Sequence, residues 1–92
     1  PHNPTNFGLL DQRMALDWVS KHISFFNGDP ERVTVMGDSA GAQSIVAHLR
    51  VWKEFKPKFH QAIIQSAYSL GTVLTLPEAE HEGVEMVDRL GC

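Results

Sequence analysis

A single cysteine, Cys92, ends the 92 residues, so no disulfide framework of the kind that staples small secreted domains can close within the chain. Taken by itself, Cys92 is either a cytosolic thiol or half of a bridge to a residue elsewhere. Positive charge is scarce too. Eight Lys and Arg against eleven Asp and Glu leave a formal net charge of −3, and Lys56 and Lys58 form a local pair rather than the basic stripe that nucleic-acid binding needs. No apolar run approaches the ~20 residues of a membrane-spanning helix. The start, Pro1-His2-Asn3-Pro4, has neither an initiator Met nor a signal-peptide pattern, and the expectation is a piece cut from a longer protein. Asn3-Pro4-Thr5 has the frame of a glycosylation acceptor, but the central proline disqualifies it. The length allows one domain at most.

What is present is organised around Val33-Thr34-Val35-Met36-Gly37-Asp38-Ser39-Ala40-Gly41-Ala42. A short β-branched run leads into Gly37-Asp38-Ser39-Ala40-Gly41, which spells G-x-S-x-G, and a helical pattern follows. That pattern is the signature of a nucleophile elbow, where a strained strand-to-helix turn lifts a serine hydroxyl above a sheet. Chance alone would produce the five residues in roughly 3% of chains this long at average glycine and serine usage. The flanks therefore decide. Arg32 to Met36 reads as a strand, and Ala42, Ile45, Val46 and Leu49 recur at helical spacing, which is the context the elbow requires. In that geometry a side chain at Gly37 or Gly41 is expected to collide with the neighbouring strand or the crossing helix. The backbone N–H groups of Ala40 and Gly41 would face a forming oxyanion.

The other elements follow from periodicity and punctuation. Pro1 to Phe7 has loop composition. Over about 9–25, Leu10, Met14, Ala15, Trp18, Val19, His22, Ile23 and Phe26 fall on one face, predicting an amphipathic helix with Trp18, Phe25 and Phe26 in the core and His22 as filler on its face. Asp17 and Lys21, four apart with the acid first, are placed to support it. Asn27-Gly28-Asp29-Pro30 is a dense turn signal. A helix over about 40–50 follows the elbow. Arg50 to Lys58 reads as a short irregular or helical connection docked on the same domain, and Gln61 to Ser66 as a second, buried strand. Strand, helix and strand at this spacing make a βαβ unit with parallel strands. The fold class is α/β, with strands at about 32–37 and 61–66 and helices at about 9–25, 40–50 and 76–90. Tyr68 to Leu74 is expected to form a loop at the carboxyl end of the second strand, where open α/β sheets place their ligands. Thr75-Leu76-Pro77-Glu78 has capping-box form, and Val84, Val87 and Leu90 are expected on the inner side of the last helix. His81, among Glu80, Glu82 and Glu85, reads as part of a solvated acidic face rather than a metal site.

A serine is a weak nucleophile until a base takes its proton, and the base needs an orienting carboxylate. After Ser39 the only histidines are His48, His60 and His81. His48 lies nine residues on along the same helix, about two and a half turns away, and cannot reach back.

Several runs together resemble the type-B carboxylesterase and cholinesterase family of α/β-hydrolases: Asn6-Phe7-Gly8-Leu9-Leu10-Asp11-Gln12, Ala15-Leu16-Asp17-Trp18-Val19, Gly28-Asp29-Pro30-Glu31-Arg32-Val33-Thr34, the elbow through Ser44, Phe59 to Ser66, and Leu90-Gly91-Cys92. The resemblance covers nearly the whole chain in order. It implies Ser39 as nucleophile, the Ala40 N–H as an oxyanion-hole donor, and Cys92 as half of a disulfide whose partner lies downstream. By the same resemblance the triad acid and histidine lie beyond Cys92 and the glycine-rich half of the oxyanion hole before Pro1, so the chain alone should not catalyse. It further implies a small-molecule ester substrate, no cofactor or metal, and a secreted, endoplasmic-reticulum or membrane-anchored extracellular setting. Asp38 stands where the family often has Glu; one methylene shorter, its carboxylate reaches less far into the substrate pocket. Ser66 is followed by Ala67 where the family usually has Gly, and 50–58 lacks the usual Ser/Pro-rich connection. The competing expectation is a non-catalytic, cholinesterase-like adhesion or binding protein, which the retained Ser39 disfavours.

Overall fold

The computed structural model describes residues 5–56, 58–67 and 73–91. The described elements are α1 (Phe7–His22), a 3-10 turn (Ile23–Phe26), β1 (Thr34–Asp38), α2 (Ala40–Arg50), the one-turn α3 (Trp52–Phe55), β2 (Gln61–Gln65) and α4 (Leu76–Leu90). The strands pair in parallel, Thr34 opposite Gln61 through Asp38 opposite Gln65. This is the expected α/β arrangement of two parallel strands with helices.

The boundaries shift for local reasons. α1 begins two residues before the predicted start, because Asn6 turns the chain in at φ 60°, a left-handed conformation that Asn tolerates. It ends at His22 and tightens into the 3-10 turn, which Asn27 closes at φ 61°. β1 starts at Thr34 rather than Arg32. Asp29 holds Arg32 in the preceding turn, with the Arg32 N–H donating to its carbonyl at 3.1 Å and the guanidinium on its carboxylate at 2.8 Å. The Glu31 N–H and the Arg32 side chain together keep the Asp29 carboxyl below its ordinary pKa. Ser66, at φ 56°, leaves the second strand.

α2 packs across β1 and reaches β2, and α3 follows it directly. The buried residues among those described are Ala42, Ile45 and His48 of α2, together with Phe59. Trp52 meets the Phe59 ring edge-on at 5.5 Å, and the Arg13 guanidinium lies 3.9 Å over the Phe55 ring, joining α1 to α3. Val35 and Gly37 are half-buried, whereas Thr34, Met36 and Asp38 are exposed. Alternation along a strand accounts for this, with α2 covering one face of the sheet.

Several burial expectations do not hold. β2 is exposed along its length, because no element covers the second face of a two-stranded sheet among the described residues. Trp18, Phe25 and Phe26 are exposed rather than core; they form a surface aromatic cluster with His22, whose ring centroid lies 5.1 Å from that of Trp18. Val84, Val87 and Leu90 are likewise exposed, since α4 does not pack substantially on any other element. The capping box does form. The Thr75 N–H and hydroxyl both donate to Glu78 Oε2 at 2.7 Å, which lowers the Glu78 pKa. Among the described residues Asp17 and Lys21 make no ion pair; on α4, Glu85 accepts Arg89 at 3.1 Å and has His81 at 3.4 Å. Most of the Tyr68 to Leu74 loop lies outside the described residues.

Candidate active site

The corner between β1 and α2 is built by three backbone restraints. The Ser39 N–H donates to the Gln65 carbonyl at 3.0 Å, extending the strand ladder by one bond, and the Gln43 N–H donates to the Ser39 carbonyl at 2.9 Å, opening the helix. Between them Gly37 passes so close to α2 that a Cβ there would meet the carbonyl carbon of Gly41 at 2.5 Å, its oxygen at 2.6 Å and the Ala42 nitrogen at 2.8 Å. Backbone atoms cannot swing aside, so only glycine fits. Gly41 differs from the expectation: a Cβ there would meet nothing within 4 Å among the described atoms. The crowding is one-sided because strand and helix converge on residue 37, while residue 41 opens toward a cavity.

Ser39 itself sits at φ 51°, ψ −115°. This is the first central position of a type II′ turn, a region that glycine dominates. An L-residue held there costs about 1–3 kcal/mol and persists only where its surroundings over-determine it. The side chain makes no capping bond to the helix it starts, and the residue is exposed. Ala40 begins α2, so its N–H is among the first-turn donors that have no partner inside the helix, at the positive end of the helix dipole. Asp38 is the last residue of β1, exposed and opposite Gln65. Cys92 lies outside the described residues.

The described histidines are engaged elsewhere. His60 sits at the far end of the sheet, where its Nδ1 accepts the Val33 N–H at 3.3 Å. His22 belongs to the aromatic cluster on α1 and His81 to the Glu85 pair on α4. His48 points away from Ser39 and toward α1, where its Nε2 lies 2.9 Å from Gln12 Oε1. Burial, reinforced by the Arg13 charge, lowers the His48 pKa, so the ring is neutral at pH 7. Beside it a cavity of about 270 Å³ lies between α1, α2 and β1, lined by Leu16, Val35, Gly41, Ser44 and Ile45 among others; it does not reach Ser39. Among the described residues no group of three or more His, Cys, Asp or Glu is placed to hold a metal ion.

Gln12 is the residue that sequence reasoning passed over. It ties α1 to both Ser44 and His48, yet it stands 32 and 36 positions from them. Its only mark in the sequence is its place at the end of the Asn6 to Gln12 run.

A strained, exposed serine thus stands between a parallel strand and a helix N-terminus. The chain belongs to the carboxylesterase family, whose model matches residues 1–92. It is 43% identical over 91 residues to an acetylcholinesterase of Electrophorus electricus, covering 97% of this chain and 14% of that protein. With cholinesterase 2 of Branchiostoma lanceolatum the identity is 41% over 91 residues, covering 97% and 27%. The carboxylesterase patB of Aspergillus clavatus is 52% identical over 69 residues, covering 73% of this chain and 12% of that protein. The chain thus spans between 12% and 27% of the length of these relatives.

Proposed function

We propose that this chain carries the nucleophile of a serine carboxylic-ester hydrolase with the α/β-hydrolase fold. The observation that carries the reading is Ser39 at φ 51°, ψ −115°, an exposed hydroxyl on a backbone that a serine does not adopt without cause. Ser39 Oγ attacks the ester carbonyl while a base accepts its proton. The carbonyl oxygen, now negative, is stabilised by the Ala40 N–H and further donors. Collapse of the tetrahedral species expels the alcohol, which takes up the proton, and leaves an acyl-serine that water cleaves in the same manner. Base and orienting acid come from parts of the full-length protein other than the described histidines, all of which face away from Ser39 or lie on other surfaces. On this reading residues 1–92 do not turn over esters without the rest of the protein. Asp38, beside the nucleophile, borders the substrate pocket. An extracellular or lumenal setting, with Cys92 in a disulfide, fits this reading.

The test treats the full-length protein with an organophosphate and maps the adduct by mass spectrometry. Phosphorylation at Ser39, absent in Ser39→Ala, is expected. Intact wild-type protein that takes no label at Ser39 overturns the assignment.

A further inference from the structure

We infer that Gln12, Ser44 and His48 form a positioning relay that fixes the 40–41 peptide in the first turn of α2 and, through the Cα that this peptide shares with the preceding one, keeps the Ala40 N–H directed at the oxyanion. The inference rests on the ester-hydrolase reading of Ser39. Its basis is a chain of hydrogen bonds whose directions are mutually determined. Ser44 Oγ lies 3.0 Å from the Ala40 carbonyl oxygen, which can only accept, so the hydroxyl spends its proton there. Its lone pair then receives Gln12 Nε2–H at 3.2 Å. That orientation of the amide turns Gln12 Oε1 toward His48, and the 2.9 Å contact requires His48 Nε2 to carry the proton. The neutral tautomer is thereby fixed, and the buried Nδ1 is left without a partner among the described residues.

A bond from a helical serine back to the carbonyl four residues earlier does little for the helix. Leaving a buried ring nitrogen unpaired is unfavourable. Two local disadvantages in series have a common result: the Ala40 carbonyl is tied to α1, while the Gln65 carbonyl holds the Ser39 N–H from the sheet. The turn is thus clamped from the sheet and from α1. An oxyanion donor acts through preorganisation, and a small misplacement of its N–H weakens transition-state binding more than substrate binding. The three residues act through Ala40.

The test compares wild-type full-length protein with Ser44→Ala, Gln12→Ala and Ser44→Thr, using active sites counted by organophosphate titration. Gln12 is exposed and Ser44→Ala removes one atom, so both variants are expected to fold. Turnover per titrated site should fall about three- to tenfold in Ser44→Ala and Gln12→Ala, the loss of one modest hydrogen bond, with KM within twofold. Affinity for a trifluoromethyl ketone, which forms the tetrahedral adduct, should fall by the same factor. Ser44→Thr keeps the hydroxyl, has the adjoining cavity to receive its methyl, and should recover most of the loss. Per-site turnover within twofold of wild type in both Ala variants overturns the relay while leaving the ester-hydrolase reading intact. A wild-type protein that neither turns over esters nor takes label at Ser39 overturns both.

Discussion

Helices α2 and α4 reverse the usual relation between local signals and burial. α4 has a Thr75–Glu78 capping box, Pro77 in its first turn and Gly91 closing it at φ 69°, yet its apolar residues are exposed. α2 begins on a strained, uncapped serine and supplies three of the four buried residues among those described, Ala42, Ile45 and His48, with Phe59 the fourth. Local chemistry sets where a helix starts and stops, whereas burial is decided by a second layer. Where local rules are broken inside the best-packed unit, the departure is where a functional role is expected.

The sharpest way to break this contrast is at Gly37. Gly37→Ala in the full-length protein is expected to cost about 3 kcal/mol or more, the upper range for overpacking, since the new methyl meets backbone on α2; a urea unfolding midpoint unchanged from wild type would disprove the close approach. Next comes His48. Its folded pKa lies below the ordinary 6.5, so the ring favours the neutral state in the fold. The associated stability is complete above pH 6.5 and is lost as pH falls through the lower folded value. Unfolding midpoints measured across that window should fall toward acid, and His48→Gln should remove part of the slope. At α4 the expected effect is smaller and local. Thr75→Ala should speed exchange of the first-turn amides about fivefold, as loss of a cap worth about 1 kcal/mol implies, and leave Ser39 labelling untouched. Glu78, whose pKa is lowered, holds the cap above its ordinary carboxylate range and releases it as pH falls through the folded value. Gly41→Ala should be the mildest, raising stability by about 0.5 kcal/mol through reduced freedom of the unfolded chain; a large loss would show that residue 41 is as crowded as residue 37.

The sequence reveals most where the determinants are close together. The strand-to-helix corner at Ser39, α2, the parallel pairing of 34–38 with 61–65 and the Thr75 capping box all depend on residues within a few positions, or on a βαβ spacing that limits the topology. The misplaced burials have the opposite character. Trp18, Val84 and Leu90 lie on correctly predicted helices, and Phe25 and Phe26 in the 3-10 turn that ends the first of them, but periodicity names a face without naming what covers it. Gln12 was invisible for a related reason. A polar residue on an amphipathic helix reads as solvent-facing until its partners, Ser44 and His48, arrive from a helix more than thirty positions away. Asn6, Asn27 and Ser66 moved element ends by adopting left-handed backbones that composition does not announce.

The backbone at residue 39 has one more consequence. Glycine reaches that corner freely, and relief of about 1–3 kcal/mol of conformational load exceeds the roughly 0.5–1 kcal/mol that its looser unfolded chain forfeits. A full-length Ser39→Gly protein is thus expected to melt at a higher temperature than its parent while being unable to form an acyl bond. Under the proposed role of Ser39, heat tolerance and chemistry compete for a single position, and the serine found there is the less durable choice.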